Sequence, residues 1–201
     1  MKSLRVVLLC VASFSPAYLY AEAKIGEGAV VRITQQQYPK LFAEWGSQGI
    51  QRINKLAPLA AKKAASSAEC DRVELVEVSD RSIARKKVVF FVDCANSKRF
   101  YIEEEELALS AVVKSQEAKT AGISESEAVA ACDRAVRQKL SNPLTFNRHL
   151  LSSSVHRVPT LGNVVVKFTF DAKNDLGATL PRRAHCTFTD RGLEAVDITR
   201  Q

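Results

Sequence analysis

The sequence predicts an α+β fold in which helices pack on small antiparallel sheets, arranged as two disulfide-stapled subdomains. Three observations carry this expectation. The hydrophobic pattern passes from helical period to period two at Cys70, and again beyond a second helix that ends near residue 140. That second helix opens on Ser124-Glu125-Ser126-Glu127, a capping-box signature. Four cysteines, Cys70, Cys94, Cys132 and Cys186, fall as one pair in each half.

The first 23 residues read as a leader and not as part of the fold. Lys2 and Arg5 precede an apolar run from Val6 to Phe14, Pro16 breaks it, and Ala21-Glu22-Ala23 supplies a small-x-small processing site. A membrane anchor needs about 20 apolar residues, and Ser13, Ser15 and Pro16 interrupt this run. Val7-Leu8-Leu9-Cys10 lacks the small residue expected before a lipid-modified cysteine. The mature chain is expected to begin at Lys24, with Glu22 as the alternative start. The expected location is the periplasm or the exterior, an oxidising compartment in which the four remaining cysteines pair.

The 201 residues are 46% hydrophobic, enough for a substantial core, and carry a net charge of +7. The basic clusters Lys62-Lys63, Arg85-Lys86-Lys87, Lys98-Arg99 and Arg182-Arg183 are short and interleaved with acids, unlike the basic stripe of a nucleic-acid binder. No nucleic-acid partner and no transmembrane segment in the mature chain are expected. The excess is greater beyond residue 110, which favours an envelope protein or an anionic envelope surface as partner. Lys167, Arg182 and Arg183 are the candidate contacts.

Residues 24–109 form the first subdomain. Gly26-Glu27-Gly28 reads as a flexible tail and Ala29 to Ile33 as a short strand. A helical region follows with Pro39 in its first turn, where proline is tolerated. Leu41, Phe42 and Trp45 share a face before Gly46 and Gly49, and Ile50, Ile53, Leu56 and Ala57 share one before Pro58, so the region is expected in two or three pieces. From Cys70 onward Val73 and Leu75 alternate with polar neighbours, Ser79 to Ser82 is turn chemistry, and Lys87 to Asp93 and Arg99 to Ile102 complete a three-stranded meander. A turn centred between Asp80 and Arg85 sets Cys70 opposite Cys94 or Ala95, close enough to bridge.

Residues 110–123 are a weakly patterned connector, and residues 124–201 form the second subdomain. Its helix carries Val129, Cys132, Val136 and Leu140 on one face and stops at Ser141-Asn142-Pro143. Strands follow over 164–170, 178–189 and 193–199, joined by Asn174 to Gly177 and by Asp190-Arg191-Gly192. Val164, Val166, Phe168 and Phe170 share one face, as do Ala184, Cys186 and Phe188. A helix whose apolar face holds Cys132 must cover the sheet face that holds Cys186, which predicts the second bridge. Closing loops of these lengths stabilises by about 3.5 and 4 kcal/mol in the chain-entropy account.

No catalytic or metal motif stands out. The cysteines contain no C-x-x-C, and His149, His156 and His185 lack zinc-ligand spacing; no cofactor is expected. Ser152-Ser153-Ser154 beside His149 and His156 is the one arrangement suggesting a hydrolase, without a G-x-S-x-G elbow. Glu103 to Glu106 points its carboxylates several ways and suits a solvated strand end better than a cation site. Phe90, Phe91, Phe100 and Tyr101 lie on adjacent strands; Phe90 and Phe91 face opposite ways, so the face around Phe91 and Tyr101 is a second candidate surface.

Two stretches resemble segments of uncharacterised exported proteins of Gram-negative bacteria, a family of unknown function. They are Phe90 to Asn96 with Arg99-Phe100-Tyr101, and Cys132 followed by Leu140 to Pro143, Asp171 to Gly177 and Cys186. The likeness covers about half of the mature chain and implies a helix-on-sheet module with a periplasmic address; it brings no site residues. The functional expectation is a non-enzymatic periplasmic protein that binds another envelope component or an anionic partner, with a non-standard serine/histidine hydrolase as the alternative.

Overall fold

The computed structural model describes residues 24–201; the leader read over residues 1–23, with Cys10, lies outside them. The described chain is α+β, with three α-helices and two sheets around two separate hydrophobic cores.

The first core is closed by β1 (Lys24–Ile25), α1 (Pro39–Ala65), β2 (Arg72–Val78), β3 (Val89–Cys94) and β4 (Arg99–Glu103), with strand order β1-β2-β3-β4. All pairs are antiparallel except β1 with β2. The segment expected as a flexible tail is therefore docked. Gly26 N–H donates to Val73 O at 2.8 Å, and Val76 N–H donates to the carbonyl of buried Ala29 at 2.8 Å. Without this segment the β2 edge would present unpaired backbone groups. Farther along, Asn54 on α1 accepts from Ile33 N–H (2.8 Å) and donates to Ile33 O (2.9 Å), so a side-chain amide stands where a neighbouring strand would.

Helix α1 begins at Pro39 and is interrupted at Gly46, whose φ of 68° suits glycine. Pro58, expected to end a helical piece, lies inside the helix instead. Proline there removes one backbone bond at a cost of about 3 kcal/mol. The small residues Ala57, Ala60, Ala61 and Ala64 are buried, so the helix lies close against Val76, Phe90, Val92 and Phe100, and that packing outweighs the loss.

The meander forms, but in a shifted register: Val78 faces Phe90, where the sequence turn would have set it opposite Lys87. The turn is longer than expected because Ile83 and Lys87 make a bridge of their own around Arg85, which sits at φ 62°. A bulge between Val73 and Leu75 follows. Cys70 precedes the ladder and bonds to Cys94, with Cα atoms 5.6 Å apart.

The second core joins α3 (Glu125–Gln138) to a five-stranded sheet of β5 (Asn147–Arg148), β6 (Ser154–Arg157), β7 (Val164–Lys173), β8 (Thr179–Thr189) and β9 (Gly192–Arg200). Ser124 caps α3, accepting from Glu127 N–H at 3.2 Å and donating to the Glu127 carboxylate at 2.7 Å. Ala128, Cys132 and Val136 are buried against Val166, Phe168, Phe170, Ala184, Cys186 and Phe188. Cys132 is bonded to Cys186, as the meeting of helix and sheet faces requires.

The connector is structured and bonded to both halves. It contains α2 (Gln116–Thr120) and buries Ser115, Gln116 and Thr120. On one side Ser67 Oγ donates to Val113 O at 3.0 Å, and Lys98 pairs with Glu117. On the other, Thr120 Oγ1 donates to Gly162 O at 2.5 Å and Arg157 donates to Thr120 O at 2.9 Å. Gly162 comes so close to α2 that a Cβ there would stand 2.4 Å from Glu117 N. The two sides meet at Asp190, in the β8–β9 turn, whose Oδ1 accepts from Arg81 Nη1 and Gln116 Nε2, each at 3.0 Å. Lys119 Nζ lies 3.8 Å from its Oδ2.

Candidate functional site

Pairing register decides which side chains share the outer face of the second sheet, because successive strand residues point to opposite sides. In β7 and β8 the even-numbered positions around Phe168 and Cys186 face α3. Lys167, Thr169, Asp171, Arg183 and His185 therefore face away from it. Lys167 lies opposite His185 and Thr169 opposite Arg183, which makes Lys167 and Arg183 diagonal neighbours. His185 in turn faces Asp197 on β9, while β6 sets Ser154 opposite Lys167 and His156 opposite Val165.

Two of the three candidate cations thus come together. Lys167 is half-buried and Arg183 exposed, and among the described residues neither takes part in an ion pair or a side-chain hydrogen bond. Arg182 goes elsewhere. It shares its face with Cys186, lies between Phe170 and Arg200, and joins the α3 side of the sheet.

The serine and histidine candidates are placed on the same edge, and no hydroxyl of the three serines bonds to an imidazole of His149 or His156. Ser152 Oγ donates to His149 O at 2.6 Å and accepts from Thr169 N–H at 2.9 Å, so its hydroxyl fastens backbone to backbone. Ser153 Oγ is buried without a hydrogen-bond partner, and Ser154 and His156 are exposed on β6. The imidazole of His149 instead bridges two residues of β7: Nδ1 lies 3.0 Å from Thr169 Oγ1 and Nε2 lies 2.9 Å from Asp171 Oδ2. This order of hydroxyl, imidazole and carboxylate is the order of a nucleophile relay. Here it lies across a strand whose Thr169 N–H is already bonded to Ser152, leaving that donor unavailable to a developing oxyanion. What the contacts do is hold the irregular segment 147–153 against β7.

The other candidates are occupied by their neighbours. Phe91 lies beneath the Arg99 guanidinium, 4.4 Å from its ring centre, and Arg99 forms a bidentate pair with Asp93 at 2.6 Å. Tyr101 lies beneath Arg81 at 3.5 Å. In the glutamate run, Glu103 pairs with Lys87 at 2.7 Å, Glu104 pairs with Arg52, and Glu106 accepts from Glu103 N–H at 2.8 Å. An apolar cavity of about 280 Å³ separates the 31–41 segment from β2, with Glu77 at its lining.

Sequence reasoning missed the His149–Thr169–Asp171 contact. The shared parity of Lys167, Thr169 and Asp171 was a usable signal for the strand half. Nothing local placed His149, because turns at 143–145 and 150–152 carry it back onto β7. No family model matches the chain, and neither a curated protein nor a solved structure matches it.

Proposed function

We propose that this is a non-enzymatic binding protein of the cell envelope, exported to the periplasm, that engages an anionic partner through the outer face of its second sheet. The observation that carries the reading is the adjacent, unpaired couple Lys167 and Arg183 on a face rimmed by His149, His156 and His185. Cations without a carboxylate partner are available to an incoming one, whereas Arg99 and Arg81 at the first sheet are spent on Asp93 and Asp190. Two disulfides support a protein of an oxidising compartment, as expected for an exported one.

The test uses a fluorescent poly-glutamate peptide as the anionic probe. Lys167→Glu with Arg183→Glu should abolish binding, and binding to the parent protein should weaken steeply above about 0.15 M salt, where the screening length is about 8 Å. Arg182→Glu should leave it intact, since that side chain serves the other face. Salt-insensitive binding that survives the double reversal defeats the reading.

A second reading rests on the His149 bridge: a hydrolase in which Thr169 takes the place expected for the serines. Hydrolysis of a p-nitrophenyl ester that is lost in Thr169→Ala and retained in Ser152→Ala would establish it, and equal activity in both variants would dismiss it.

A further inference from the structure

The end of the second sheet, away from the face just described, joins charge to exposed apolar surface in a way that neither core explains. Leu144 and Leu176 are 101% and 91% exposed, so neither contributes to packing. They lie at one end of the molecule because the turn that carries Leu144 is tied to the β7–β8 hairpin that carries Leu176. Asn142 Nδ2 donates to Asn174 O at 3.0 Å, and Lys173 N–H donates to Thr145 Oγ1 at 2.9 Å.

Beside them, Arg182 and Arg200 are direct cross-strand partners. Like charges in that position repel and weaken a sheet, and among the described residues no carboxylate pairs with either. Arg182, Lys139 and Lys173 line a cleft of about 250 Å³ whose acidic member is Asp175. Lys139 Nζ donates to Val196 O at 2.9 Å, which sets its charge at the cleft instead of in free solvent.

The geometry points to a lipid-docking end: Leu144 and Leu176 enter the interface of an anionic bilayer while Arg182, Arg200, Lys139 and Lys173 meet its phosphate headgroups. Either signal alone holds a protein weakly, and the two together give stable peripheral binding. A free phosphate would use the cations and leave both leucines in water. The leucines are what select a surface over a soluble anion. Arg182 and Arg200 lie on the opposite side of the sheet from Lys167 and Arg183, and Lys173 joins them at the strand end, six residues along β7 from Lys167.

The test is flotation of oxidised protein comprising residues 24–201, which holds both cores, with vesicles of phosphatidylglycerol and phosphatidylethanolamine in equal parts and with vesicles of phosphatidylcholine alone. Binding is expected to the anionic vesicles only. Leu144→Asp and Leu176→Asp, which touch no core contact, should each lower it about tenfold. Arg182→Gln and Arg200→Gln should each lower it about fivefold. Lys167→Gln with Arg183→Gln should lower it far less than either leucine change, which separates this site from the sheet face. Soluble glycerol 3-phosphate should not compete. Failure to float with anionic vesicles overturns the proposal, as does binding indifferent to the leucine changes or fully displaced by glycerol 3-phosphate.

Discussion

The first sheet and the second sheet are each covered on one side by a helix, and they differ in how the other side is finished. On the first, arginines close the face: Arg99 lies over Phe91 with Asp93 holding it, and Arg81 lies over Tyr101 with Asp190 holding it. On the second, Lys167 and Arg183 have no such carboxylate, although Asp171 is nearby, because His149 already occupies it. An aromatic exposed in sequence is therefore no guide to an open surface. Availability depends on whether each cation already has an acid within reach, and acids are supplied from far along the chain.

The largest expected effect tests whether the two cores stand separately. Replacing Cys132 and Cys186 by alanine should lower stability by about 4 kcal/mol, and the same change at Cys70 and Cys94 by about 3.5 kcal/mol. Trp45 is the single tryptophan and is buried in the first core. Its fluorescence in urea should shift for the Cys70/Cys94 variant and stay near its original midpoint for the Cys132/Cys186 variant. Equal shifts would show that the cores unfold as one.

Next in size is the junction. Asp190→Ala leaves Arg81 and Gln116 without their acceptor and should cost about 2 kcal/mol, read as faster proteolysis within 110–123. Acid should mimic it. Burial alone would raise the Asp190 carboxyl, but the hydrogen bond from Gln116 and the charges of Arg81 and Lys119 hold it below its ordinary range. A carboxyl depressed by folding contributes its stability above the unfolded value of about 3.9 and loses it as pH falls through the lower folded value. Pepsin cleavage of the connector should therefore rise as the pH drops below about 3.9, and Asp190→Asn should remove that step.

The smallest effect sharpens the comparison from one side. Ser124→Ala removes the α3 cap and should cost about 1 kcal/mol. Circular dichroism should record the loss in the second unit while the Trp45 transition stays fixed.

Features set by contacts close in sequence were legible before the structure. The Ser124 cap, the Asn174 turn, and the parity that brings Cys132 to Cys186 all follow from local pattern, and so did Phe90 and Phe91 facing opposite ways. Features set by distant partners were not. Pro58 survives inside α1 because of the alanines packed beneath it, and residues 26–30 are ordered by a strand more than forty positions later. The meander register slipped because a left-handed Arg85 lengthened a turn that composition alone placed earlier. At the candidate site, Lys167 and Arg183 could be named from charge, and their adjacency required the β7–β8 register. Arg81 and Asp190 stand 109 positions apart, so neither could be read as the other's partner.

Both bridges join cysteines that are neighbours in the chain, Cys70 with Cys94 and Cys132 with Cys186. For a polypeptide that enters an oxidising compartment amino end first, this ordering has a kinetic meaning. An oxidase that couples each thiol to the one that emerged before it makes the native bond at both steps, and the first is closed before Cys132 arrives. No wrong pair has to be reduced and reshuffled, so maturation of this protein should proceed at its normal rate in cells that possess a thiol oxidase and lack a disulfide isomerase.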